Sequence, residues 1–125
     1  MKFASRVFRF AGIYGLIVLA PQFFLESKTG ADYPPAVTHP EFYYGFVGCG
    51  VAFQVVFLII ATDPVRYRPL MLPSILEKGF FGVGMPILYG QHRIPALVLG
   101  FSLVDLTLGI LFALAYVRTS TAARR

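Results

Sequence analysis

Residues 63–89 read DPVRYRPLMLPSILEKGFFGVGMPILY, and the fold turns on how this stretch is read. It opens as a turn. A residue that precedes proline is pushed to extended backbone, so Asp63-Pro64 stops any helix arriving from upstream. Arg66 and Arg68 then mark a wet boundary. From Leu70 onward the residues are mainly apolar, yet Glu77 and Lys78 stand side by side among them. The rest of the chain decides what that means. Hydrophobic residues make up 57% of it and charged ones 14%, with a mean hydropathy of +0.70. Ordinary soluble domains carry about 25% charged residues. A soluble domain of 125 residues could not hide this much apolar surface, so the stretch reads as a membrane helix with charge at depth.

Working outward, residues 42–62 (FYYGFVGCGVAFQVVFLIIAT) supply a second span of the length a helix needs to cross a bilayer, about 20 residues. Phe42, Tyr43 and Tyr44 form its interfacial anchor. Gly45, Gly48 and Gly50 are expected to form a patch for close helix contact, with Cys49 as a small apolar residue in the same packed face. Gln54 is the strongly polar side chain inside. Residues 94–117 form the cleanest span, with Asp105 near the middle. Before them, GQHR makes a short turn.

At the amino end, Lys2, Arg6 and Arg9 precede an apolar run broken by Pro21 and Gln22. The run has the outline of a signal peptide, but Pro21 directly after Val18-Leu19-Ala20 argues against cleavage, so an uncleaved span over residues 8–25 is expected. Residues 26–41 carry Pro34, Pro35 and Pro40, which leave no room for a long helix. The expectation is all-α: an integral membrane four-helix bundle forming one domain, with spans near 8–25, 42–62, 70–89 and 94–117.

Orientation follows from Lys and Arg near the span ends. Eight lie at the amino end, the 66–68 turn and the tail, against two in the other loops. Both termini are therefore expected in the cytoplasm, in a multi-pass protein of the cytoplasmic membrane. The net charge of +5 fits anionic headgroups better than nucleic acid, because the bases sit at the ends of apolar segments. Arg66 and Arg68 are the candidate headgroup contacts.

Helical rise of about 1.5 Å per residue puts Gln54, Glu77 and Lys78 roughly 11–12 Å above the cytoplasmic ends of their spans and Asp105 roughly 18 Å. Ser74, Glu77, Lys78, Phe81 and Met85 share one arc of the third span, and Ser102, Asp105 and Gly109 one stripe of the fourth. A charge at a helix centre costs about 2.5–3.5 kcal/mol on insertion scales, so these groups must pair, protonate or face water. The simplest pairing joins Lys78 to Asp105, leaving Glu77 to Gln54, Ser74 or a water. Such a cluster serves either as an ion pair that fixes helix register or as a ligand or proton site.

No metal or cofactor is expected. His39 and His92 fall in loops without metal-ligand spacing, a single cysteine excludes an intrachain disulfide, and no catalytic signature or phosphate loop is present. The functional expectation is a non-enzymatic membrane protein that binds a small hydrophobic or cationic ligand, or a partner helix, through Gln54, Glu77, Lys78 and Asp105. One alternative is an enzyme on a lipidic substrate, with Glu77 or Asp105 as acid/base. Another is a small oligomeric transporter. The expected partners are the bilayer, a lipid-like or small hydrophobic ligand and, for a transporter, further copies of the chain.

DPVRYRPLMLPSILEK, together with LVDLTLG in the last span, resembles the pattern of small four-span bacterial membrane proteins of uncharacterised function, similar in plan to the DoxX-like group. Some members of that group are linked to quinone or sulfur redox chemistry, which one cysteine and no quinone or haem pattern do not support here. The plan is also similar to four-span sterol isomerases and sigma-2-type receptors, which use buried carboxylates to hold cationic or carbocation-like ligands. That resemblance implies such a role for Glu77 and Asp105.

Overall fold

The computed structural model describes the backbone of residues 2–123 and the side chains of residues 2–120. Arg124 and Arg125, counted above for orientation, lie outside the described residues. The described chain is all-helical, without strands: α1 (Lys2–Leu19), α2 (Glu26–Asp32), α3 (Pro40–Thr62), α4 (Met71–Gly90) and α5 (Ala96–Ala123). Three stretches are long and apolar enough to cross a membrane, namely Lys2–Phe24, Pro40–Thr62 and Ala96–Ser120. α4 has the length, at 20 residues, but Glu77, Lys78, four glycines and two prolines dilute its apolarity.

Helix boundaries follow local chemistry. α1 begins at Lys2, several residues before the apolar run, because Ala4, Phe8 and Ala11 form a fully buried stripe that holds the basic first turns in the helix. Where Pro21 removes a backbone donor, the helix tightens to a 3-10 segment over Ala20–Phe24. The proline-rich loop contains the short helix α2, where the Asp32 carboxylate at 2.8 Å holds the Lys28 ammonium above its ordinary pKa. α3 starts with Pro40 in its first turn, where a missing N–H costs nothing, and carries Glu41 beside the positive end of the helix dipole. It stops at Asp63, whose extended backbone (φ −158°, ψ 81°) is what Pro64 demands. Pro73 sits in the first turn of α4, where N–H groups lack helical partners anyway. Pro86 lies inside α4. After Gly90 the chain reverses at His92, in the left-handed region at φ 59°.

The helices associate as two closely packed pairs, α1 with α3 and α4 with α5. α1 and α5 join the pairs, while α3 and α4 meet only sparingly. Gly12 and Gly15 let α1 approach α3: a Cβ on Gly12 would stand 2.7 Å from Leu58 Cδ2. Gly82 does the same for α4 and α5, where a Cβ would stand 3.0 Å from the Leu106 backbone. Such small-residue contacts let helices pack where lipid removes the hydrophobic drive.

The core lies toward one end. Ala4 and Phe8 of α1, Phe57 and Ile60 of α3, Met71 of α4 and Phe112 of α5 are all fully buried there. Phe8 stacks on Phe112 at 4.1 Å between ring centroids, and Phe57 meets Phe112 edge-on at 4.9 Å. Ser5 Oγ donates to the Ala61 carbonyl at 2.7 Å, tying α1 to the end of α3. At the opposite end, Tyr43 Oη donates to the Gln22 carbonyl and Tyr44 Oη to Glu26, at 2.7 and 2.8 Å.

Two packing expectations are corrected. A Cβ on Gly50 would stand 2.8 Å from Leu19 Cδ1, but nothing lies within 4 Å of a Cβ on Gly45 or Gly48, so the expected three-glycine contact patch reduces to one residue. Cys49 is exposed, because the buried stripe of α3 runs through Val47, Gly50 and Gln54 and Cys49 is turned about 100° from Gly50 at 3.6 residues per turn.

Candidate functional site

The polar cluster is built where α4 and α5 come closest. Lys78 lies on the buried stripe of α4 with Met71, Ser74 and Gly82. Gly109 of α5 faces it: a Cβ there would stand 3.2 Å from the Lys78 Cβ. This gap lets the lysine stem lie between the helices and carry its ammonium to Asp105. Lys78 Nζ donates to Asp105 Oδ1 at 3.2 Å. Glu77 Oε2 stands 3.7 Å from the same nitrogen, an ion contact too long for a hydrogen bond. Phe57 of α3 presents its ring 5.3 Å from the ammonium, close enough for a cation–π attraction. Side-chain exposure is 3% for Lys78, 14% for Asp105 and 22% for Glu77.

One cation thus faces two carboxylates, and the cluster has one formal negative charge in excess. Glu77 Oε2 is buried and has no hydrogen-bond donor. Ser74 does not supply one: its hydroxyl donates to the Leu70 carbonyl at 2.7 Å. Ser102 is likewise spent on the Leu99 carbonyl. The expectation that Ser74 or Gln54 would serve Glu77 is therefore corrected. Phe81, one turn beyond Glu77 on the same flank of α4, stacks on Phe46 of α3 at 6.2 Å. Glu77 thus stands on the side of α4 that faces α3, where packing is loosest.

Gln54 belongs elsewhere. It is fully buried, its Nε2 donates to the Gly50 carbonyl at 2.7 Å, and its Oε1 occupies the space that a Gly15 Cβ would take. Its side chain fills the α1–α3 interface. Its depth resembles that of the cluster, but its azimuth on α3 points to α1. Among the described residues, Gln54 Oε1 is the other buried side-chain oxygen without a partner.

Arg68 is engaged within the bundle. Its Nε donates to the Tyr116 carbonyl at 3.1 Å and its guanidinium lies 3.6 Å from the Tyr116 ring centroid, so it clamps the turn to α5. Arg66 is exposed, with its backbone N–H capped by Asp63 Oδ1. His39 and His92 are both exposed, and His39 Nδ1 lies 3.3 Å from Glu41. Among the described residues no group of three His, Cys, Asp or Glu is arranged to hold a metal.

Phe57 was not among the residues expected at the site. The signal for it lay in α1 and α5: Phe8 and Phe112, flanked by small residues at helical spacing, mark an aromatic core that needs a third ring. No protein-family model, curated protein or solved structure matches the chain.

Proposed function

We propose that the chain crosses the cytoplasmic membrane four times, with both termini in the cytoplasm, and that its Glu77–Lys78–Asp105 cluster binds a small hydrophobic cation without catalysing a reaction. The fourth span in this reading is α4. Its close packing on α5 and the contact of its lysine with Asp105 support it, since pairing removes much of the cost of charge at depth. The arrangement Lys2, Arg6, Arg9, Arg66, Arg68 and Arg118 at one end, against Lys28 and Arg93 at the other, supports the orientation. A place near the DoxX-like group is part of the same proposal and rests on the resemblance of the DPVRYRPLMLPSILEK and LVDLTLG stretches.

One observation carries the ligand class: a single ammonium serves two carboxylates, and Glu77 Oε2 lacks a donor. A buried acceptor without a partner costs about 1–3 kcal/mol. A ligand ammonium or N–H that reached it would relieve that cost and balance the charge. Glu77 is the most exposed of the three and lies beside the loose α3–α4 seam, so an amine arriving from the bilayer meets it first. Apolar neighbours such as Phe46 and Phe81 suit the carbon part of such a ligand.

The test uses the protein in lipid nanodiscs with a fluorescent long-chain tertiary amine and its uncharged carbon isostere. The amine is expected to bind and the isostere to bind at least tenfold more weakly, with Glu77→Gln abolishing the difference. Equal binding of the two probes, or full amine affinity in Glu77→Gln, defeats the reading. A reproducible dimer that blocks the amine site would make the occupant a partner helix.

A further inference from the structure

A second candidate site lies between α1 and α5 and is lined by none of Glu77, Lys78 and Asp105. An open groove of about 400 Å³ runs between α1 and α5, floored by Val7 and Phe10 on one side and Val104, Leu108 and Leu111 on the other. Arg6 closes one end of it. The same Arg6 also lines a second hollow of about 330 Å³ between the start of α1 and the end of α3, together with Lys2, Arg9, Ser5 and Thr62. Three bases thus converge on one hollow, spaced to share a helix face. No carboxylate lines either space. The hydroxyl of Ser5 donates to the Ala61 carbonyl, and Arg9 leans on that hydroxyl at 3.4 Å; among the described residues the three bases pair with no carboxylate.

We propose that these two spaces, which share Arg6 as a wall, bind one anionic phospholipid, with its phosphate among Lys2, Arg6 and Arg9 and one acyl chain laid along the α1–α5 groove. The polarity matches at both ends. The basic hollow sits at the end of the bundle where the terminal bases gather, at the level a headgroup occupies. The groove starts at Arg6 and runs toward the helix middles through wholly apolar side chains apart from Thr107, whose hydroxyl is turned to the Leu103 carbonyl of its own helix at 2.9 Å. Basic pockets beside membrane helices are a recurrent form of headgroup recognition. The groove separates this site from diffuse attraction: a bare phosphate fills only the hollow, whereas a neutral lipid fills only the groove.

Native mass spectrometry of the detergent-solubilised protein tests the site, with phosphatidylglycerol and phosphatidylcholine of identical chains as probes. Retention of one phosphatidylglycerol, with phosphatidylcholine bound at least tenfold more weakly, is the expected result. Arg6→Gln should weaken phosphatidylglycerol at least tenfold, and Val104→Trp, which fills the lipid-facing groove, should weaken it similarly. Arg118→Gln removes an exposed base at the same end that lines neither space, so binding should not change. If Val104→Trp fails to fold, a photoreactive benzophenone side chain in place of Phe10 should label phosphatidylglycerol and lose that labelling in Arg6→Gln. Equal loss from Arg6→Gln and Arg118→Gln would overturn the proposal in favour of diffuse charge. Complete displacement by inorganic phosphate, with Val104→Trp silent, would reduce the site to an anion hollow. A lipid-free dimer cross-linked through Phe10 would assign the groove to a second copy.

Discussion

At the scale of single residues, the unequal division of charge around Lys78 sets the order of mutational effects. Lys78→Met strands Asp105 and Glu77 together, whereas Asp105→Asn leaves the ammonium with Glu77 still 3.7 Å away. Removing one partner of a buried pair costs about 3–5 kcal/mol, and Lys78→Met should reach that range while Asp105→Asn falls clearly below it. The double variant should recover part of the loss. Unfolding in mixed micelles with increasing SDS measures all three, and an Asp105→Asn loss equal to that of Lys78→Met would show that Glu77 does not share the cation. The sequence marked Lys78 and Asp105 as the simplest pair, because insertion cost flags both groups and a long lysine spans the difference in depth, but not that they touch. Gln54 was misplaced for a geometric reason: counting residues gives height along a helix but not which neighbour lies at each azimuth. Only Gly15, opposite it on α1, marked the true contact, and a glycine is silent until its partner is known.

At the scale of elements, the glycines divide into those that bring helices together and those that face outward. A methyl group on Gly15 would overlap Gln54, a fully buried side chain with nowhere to retreat. Overpacking of this kind costs about 1–3 kcal/mol. Gly48 has nothing within 4 Å of its Cβ position, so Gly48→Ala should be neutral or stabilising by up to about 1 kcal/mol through helix propensity. Thermal melting in detergent distinguishes the two, and similar losses would mean that the α1–α3 seam is not closed by Gly15. The all-helical character was legible because proline and charge punctuate long apolar runs at clear points. The ends were less so. Hydropathy marks where lipid contact stops, whereas α1 runs on to Lys2 because buried Ala4 and Phe8 hold it. Short α2 escaped notice because its seven residues carry no apolar periodicity.

At the scale of the whole molecule, charge asymmetry and the exposed Cys49 make the topology measurable. In a Cys49→Ser background, Ser27→Cys should react with a membrane-impermeant maleimide on intact cells, and Thr62→Cys only after permeabilisation. The reverse pattern would invert the protein. Cys49 itself, on the outward face of α3 about 14 Å from Pro40 at 1.5 Å per residue, should react with a lipid-soluble maleimide and resist the polar one. The dilution of α4 has a further consequence for biogenesis. Two adjacent charges make α4 a poor substrate for the translocon on its own, at about 2.5–3.5 kcal/mol each, and the counter-charge that offsets Lys78 is synthesised later, at Asp105. In the four-span arrangement proposed above, the nascent α4 waits near the insertion machinery until α5 emerges, and the two enter as a hairpin. A chain truncated after residue 93 should leave α4 accessible to proteases or glycosylation, while the chain extended through α5 should bury it.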